Sequence, residues 1–169
     1  IYGGLTLTKI TASANTLSDV IAQYTGGTLT VAGVIADGSG TNVSGLQIGQ
    51  STSGYTGTVS LGKANTYAGA TTISYGTAKA GNNAAFGTGT VTIASGTTLD
   101  VAGNALANTI NLNGGTITTS TGSGGAITGG VTLGSNSTFS AANSATLTIS
   151  GVVSGAYALT IGTTGIVRC

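Results

Sequence analysis

The sequence predicts an all-β fold, a right-handed parallel β-helix (β-solenoid) of roughly 7 rungs. Three observations predict it. Short runs with apolar residues at alternate positions recur through the 169 residues, the mark of strands with one buried and one wet face. The segments between them are built from Gly, Asn, Ser and Thr, with 31 Gly and no Pro in the chain, which is turn chemistry. The sequence also resembles itself over a long unit, the signature of stacked repeats.

In chain order, the first candidate strand is Leu5–Ile10, with Leu5 and Leu7 on one side. Ala14–Ala22 reads either as a helical turn, with Ser18 as cap before Asp19, or as strand and loop. Thr28–Ile35, Ser44–Ile48, Thr58–Leu61 and Thr71–Ile73 follow. Thr90–Ile93, Thr98–Val101, Thr109–Leu112 and Thr116–Thr118 continue the series, and Gly130–Leu133, Ser137–Ser140, Thr146–Ile149 and Leu159–Ile161 complete it. Alternation turns Val59, Leu61, Ile73, Val91, Ile93, Leu99, Val101, Ile110, Leu112, Leu147 and Ile149 inward and their Thr neighbours outward. Turns fall at Gly26-Gly27, Gly81-Asn82-Asn83, Asn113-Gly114-Gly115, Gly122-Ser123-Gly124-Gly125 and Gly129-Gly130. Short strands at this spacing suit a sandwich or a solenoid. Only two Phe and six Tyr, turns without Pro, and the internal repeat favour the solenoid.

The repeat is read directly. Thr28-Leu29-Thr30-Val31-Ala32-Gly33-Val34-Ile35 matches Thr146-Leu147-Thr148-Ile149-Ser150-Gly151-Val152-Val153. Leu46-Gln47-Ile48-Gly49 matches Leu159-Thr160-Ile161-Gly162, and Gly57-Thr58-Val59-Ser60-Leu61 matches Gly165-Ile166-Val167-Arg168-Cys169. The order is kept while the offset shrinks, as it does when only loops differ in length. The reading is therefore one β-solenoid segment over 1–169, part of a longer repeat protein.

Only 4% of residues are charged, against roughly 25% in ordinary domains. In stacked strands a like charge would recur every ~4.8 Å, so neutral Thr, Ser and Asn suit the stack. Net charge is +1, which leaves no electrostatic footprint for nucleic acid or an anionic membrane. No apolar run approaches the ~20 residues of a membrane helix, and no girdled amphipathic strands mark a barrel; no membrane insertion is expected in these residues. Ile1 is read as the start of a processed chain or a fragment. The single cysteine, Cys169, cannot form an internal disulfide.

The best repeat match, 57–104, carries a resemblance. Asn65-Thr66-Tyr67-Ala68-Gly69-Ala70-Thr71-Thr72-Ile73 follows Leu61-Gly62-Lys63-Ala64, and Phe86-Gly87-Thr88-Gly89-Thr90-Val91 closes the unit. This resembles the passenger-associated β-strand repeat of bacterial autotransporters, the passenger β-helices of type V secretion. Ala78 stands where that repeat has Leu, and Tyr75 precedes Gly76. The resemblance implies a secreted, extracellular β-helix at a bacterial cell surface. It implies that Asn65, Thr66, Tyr67 and Gly69 form the motif turn and that Thr71 and Ile73 begin the next strand. Physically, Asn and Gly tolerate left-handed backbone, and Tyr67 is expected over a corner with its hydroxyl wet.

Little in the chain points to chemistry. Paired carboxylates would be needed for sugar hydrolysis, and only Asp19, Asp37 and Asp100 are present, with no Glu and no His. No enzyme activity and no cofactor or metal are expected. Thr-X-Thr pairs occur at Thr6/Thr8, Thr28/Thr30, Thr90/Thr92, Thr116/Thr118 and Thr146/Thr148. Some ice-binding solenoids present such pairs in a flat array. Their irregular spacing here argues against one, and β-branched outward positions explain them otherwise. The expected role is a stalk, spacer or fibre of a bacterial surface protein. The alternatives are a filament subunit stacking end to end on identical subunits, or an adhesin passenger meeting a cell or matrix surface or a glycan. Cys169 aligns with inward Leu61 and is expected to be buried, or buried in an interface, at a strand end.

Overall fold

A computed structural model describes residues 9–11, 18–24, 26–37, 43–50, 56–121, 124–162 and 164–169. Leu5–Thr8 of the first candidate strand, the Thr6/Thr8 pair, residues 14–17 and the Gly122-Ser123 turn lie outside the described residues. What is described is all strand and turn, with no helix.

The chain winds around three faces. The first described strand, β1 (Lys9–Thr11), lies on the third face of an opening turn. The next turn runs β2 (Ser18–Ile21), β3 (Thr28–Val31) and β4 (Val34–Ala36). Two turns with strands on two faces follow: β5 (Gly45–Ile48) with β6 (Thr58–Leu61), then β7 (Thr71–Ile73) with β8 (Thr77–Ala80). Four more turns again have three strands: β9 (Val91–Ile93), β10 (Thr98–Asp100), β11 (Ala105–Leu106); β12 (Ile110–Asn113), β13 (Thr116–Thr118), β14 (Gly125–Ile127); β15 (Val131–Ser135), β16 (Ser137–Phe139), β17 (Thr146–Ile149); and β18 (Val153–Ser154), β19 (Leu159–Ile161), β20 (Ile166–Arg168). Every described strand pairs in parallel with an equivalent in an adjacent turn, giving two seven-stranded sheets and one of four, with β1–β4 a separate pair. Five of these turns carry strands on all three faces, so the solenoid has about 5 complete turns, slightly fewer than the roughly 7 rungs expected, and the two short turns make up the difference. The two short turns lack a strand where the 62–70 and 81–90 segments, rich in Gly and Asn, cross the third face.

The inward register follows the apolar alternation. All eleven residues from Val59 to Ile149 expected inside are buried. They stack in ladders: Ile21, Ile48, Ile73 and Ile93 on the first face, Leu29, Val59, Ala78, Leu99, Ile117 and Phe139 on the second. A parallel sheet needs such continuous burial, because each strand gains little alone and the stack closes the core. Ala78 keeps the inward position between Val59 and Leu99. Phe86 is fully buried in the same turn, which so carries an aromatic ring in the core alongside the small Ala78 and Ala80.

Several expectations change. Ser18–Ile21 is strand β2, so the helical reading of 14–22 does not hold there. The repeat aligns strand with strand but one face later: β3 lies in the second sheet and its match β17 in the third, while β5 and β19 occupy the first and second. Each face asks for the same alternating Thr and apolar residues, so sequence similarity does not identify the face. The Thr-X-Thr pairs scatter over three faces, yet the register builds a row the pairs do not reveal. Thr28, Thr58, Thr77, Thr98, Thr116, Thr138 and Thr160 stand in one column on the outside of the second sheet. Irregular sequence spacing reflects loops of unequal length, and hydrogen-bond register erases it.

Candidate functional site

The 62–70 segment replaces a strand, so its backbone groups need other partners. Asn65 provides them. Its Oδ1 accepts the Ile35 N–H at 2.8 Å from the turn before, and its Nδ2 donates to Ala85 O in the turn after. Its own N–H donates to Ala84 O at 2.9 Å, and the Thr66 N–H to Ile35 O at 2.9 Å. Asp37 adds a second tie: Oδ1 accepts the Ser44 N–H and Oδ2 the Ala68 N–H, each at 2.9 Å. Asn108 makes a similar tie two turns later, donating to the carbonyls of Phe86, Gly87 and Gly89 in the turn before it. Side-chain amides thus carry the ladder across the stretch where regular strands stop.

This corrects the roles expected for the motif. No Asn among the described residues has a positive φ; Asn65 acts through its side chain, buried to 4% exposure. Gly69 is required by close approach, since a Cβ there would lie 2.1 Å from Ser44 O, while its N–H donates to that carbonyl at 3.0 Å. Thr66 is exposed. Ile73 is inward, as expected. Thr71 opens β7, as expected, and faces the core on the same side as Ile73.

Tyr67 explains Thr71. The ring is buried, and its hydroxyl meets Thr71 Oγ1 at 2.6 Å inside the core rather than standing wet at a corner. A buried phenol needs a partner, and an inward Thr four residues on supplies one. Burial pushes the Tyr67 pKa far above its ordinary value, with the Thr71 hydrogen bond opposing the shift. The folded state therefore keeps the proton while the unfolded chain loses it above about pH 10. That stability is fully present below pH 10 and falls as pH rises beyond it, by up to about 1.4 kcal/mol per pH unit. Tyr67→Phe should cost about 1 kcal/mol at neutral pH and flatten the alkaline loss. Urea titrations at pH 7, 10 and 11 check this, and an unchanged alkaline slope in the variant would assign the loss elsewhere.

The polar groups with most partners are structural in geometry. Asp100 accepts the Ala102 and Ser120 N–H groups at 2.9 Å each and the Ser120 hydroxyl, with Lys79 Nζ at 3.9 Å. A shallow cleft of about 250 Å³ lies beside the irregular third face, lined by Asn83, Ala84, Gly87, Thr88, Ala107 and Asn108. No group of three or more His, Cys, Asp or Glu that could hold a metal occurs among the described residues. Cys169, expected to be buried in the chain or in an interface, is exposed in the single chain. It follows β20 on the third face, where its repeat counterpart Leu61 ends β6 on the second. Among the described residues β20 pairs with β17 alone. The asparagine ladder was missed from sequence; the recurring Asn in strand-poor segments is the signal that could have found it.

Comparison with protein-family models, with curated proteins and with solved structures found no match to this chain.

Proposed function

We propose that this chain is a non-catalytic, extracellular β-solenoid that serves as a stalk, spacer or fibre of a bacterial surface protein. The observation that carries the reading is the unbroken core. Inward residues stack from turn to turn, and where strands stop, Asn65, Asp37 and Asn108 keep adjacent turns tied. Such a column resists bending because each turn is held over its whole cross-section by its neighbours. The likeness of 57–104 to the autotransporter passenger repeat supports the surface location. Low charge and the dominance of short polar side chains fit a rod that displays other parts.

A second reading, head-to-tail stacking on an identical chain, is favoured by the last turn. Val152, Tyr157, Ile161 and Ile166 are exposed there, and among the described residues β18, β19 and β20 each pair on one side only. An open apolar end with unpaired strand groups is an association site for a further turn, from the same chain or another. Immunogold electron microscopy of intact cells of the source bacterium, with antibody to the purified chain, tests both. Gold standing off the envelope supports the stalk, and gold along extended fibres supports stacking. Label seen only after permeabilisation would sink the surface role.

A further inference from the structure

We propose that the outer face of the second sheet binds ice, through the threonine column from Thr28 to Thr160. The column is unbroken over seven successive strands. None of these threonine hydroxyls hydrogen-bonds to another protein atom among the described residues, whereas inward or corner hydroxyls such as Thr71, Thr97 and Ser137 do. Each column hydroxyl is free to donate once and accept twice.

The spacing selects the partner. Threonines in one rotamer on adjacent strands place equivalent hydroxyls about 4.8 Å apart, too far for a direct bond, unlike Thr118 and Ser140 in the neighbouring column, which bond directly at 2.9 Å. In a tetrahedral water network with O···O bonds of about 2.8 Å, second-neighbour oxygens lie about 4.6 Å apart. One water can therefore bridge each pair of neighbouring threonines at nearly its lattice position, and the column repeats that fit along the rod. β-Branching restricts χ1 at each threonine, which favours hydroxyls and methyls that recur with the strands. A second column two residues on, about 6.6 Å away, holds Thr30, Ser60, Thr118 and Ser140. It is interrupted by Lys79 and Asp100, which face one another at 3.9 Å and cancel in charge. A face without net charge offers nothing to a polyion. Neither column holds an aromatic ring on which a sugar could stack. The outer face of the first sheet is the built-in contrast, with Val20, Gln47, Thr72, Thr92, Asn111, Thr132 and Ser154 in its row.

The purified full chain should show thermal hysteresis and shape ice crystals in nanolitre osmometry. Thr98→Tyr, in the middle of the column, should lower the hysteresis severalfold, and Thr98→Val should lower it with the fold kept. Thr92→Tyr, on the first sheet, should leave it unchanged; circular dichroism confirms that each variant is folded. A wild-type chain without hysteresis, or equal losses from Thr98→Tyr and Thr92→Tyr, would overturn the proposal. So would a chain inactive on ice that sediments with insoluble cellulose or chitin, or dimerises by light scattering, and loses that property in Thr98→Tyr.

Discussion

Asn65→Leu should lower the stability of the solenoid by about 4 kcal/mol, or roughly 10 °C in Tm. The substitution keeps the branching at Cγ and the number of heavy atoms and removes both polar ends. The Ile35 N–H and the Ala85 carbonyl, each now satisfied by Asn65, would be left without partners inside the wall. Each such orphan costs about 1–3 kcal/mol. Thr66→Leu one residue on, at an exposed position, should change little and serves as the control. Thermal melts followed by circular dichroism decide. Equal Tm values for Asn65→Leu and wild type would mean that water replaces the amide and that the third face is not held by it.

What could be read from the sequence is what short-range periodicity encodes. Val91 and Ile93, or Leu147 and Ile149, alternate with Thr, and a one-residue slip would expose every one of them; the inward set was legible for that reason. Strands of weak composition were not. Thr77–Ala80 has two Ala and one Lys among four residues, low in β propensity, and is a strand because β6 and β10 pair with it on either side. Ala105–Leu106 and Gly125–Ile127 likewise take their strand character from the neighbouring turn. Which face a strand occupies depends on how many loop residues precede it, so the internal repeat located strands and misassigned the surroundings of Cys169. The motif residues were legible as a set, but their roles were not. A buried Tyr67 hydroxyl or a bridging Asn65 amide depends on groups one turn away in space and four to thirty residues away in sequence. The threonine column was hidden for the same reason, since its members are separated by unequal loops and only the pairing register brings them into line.

The core makes the second large demand. Phe139 is fully buried in the second sheet, with Ile117 before it and Ile161 after it in the ladder. Phe139→Ala should cost about 3–5 kcal/mol, the transfer energy of the ring plus the cavity it leaves. The position of the loss matters as much as its size. In a stack where each turn touches only its neighbours, stability is a sum of turn and interface terms. The turn after Phe139 rests on it from one side and has no turn beyond it among the described residues. The cavity should therefore uncouple β18 to β20 from the rest before the rod melts as a whole. Amide exchange should show it: protection lost in Val153–Arg168 while Thr58–Asp100 keeps wild-type rates. Uniform loss along the chain would mean that the solenoid unfolds as one cooperative unit. The asparagine ties at Asn65 and Asn108 would then couple its two halves more strongly than nearest-neighbour packing alone allows.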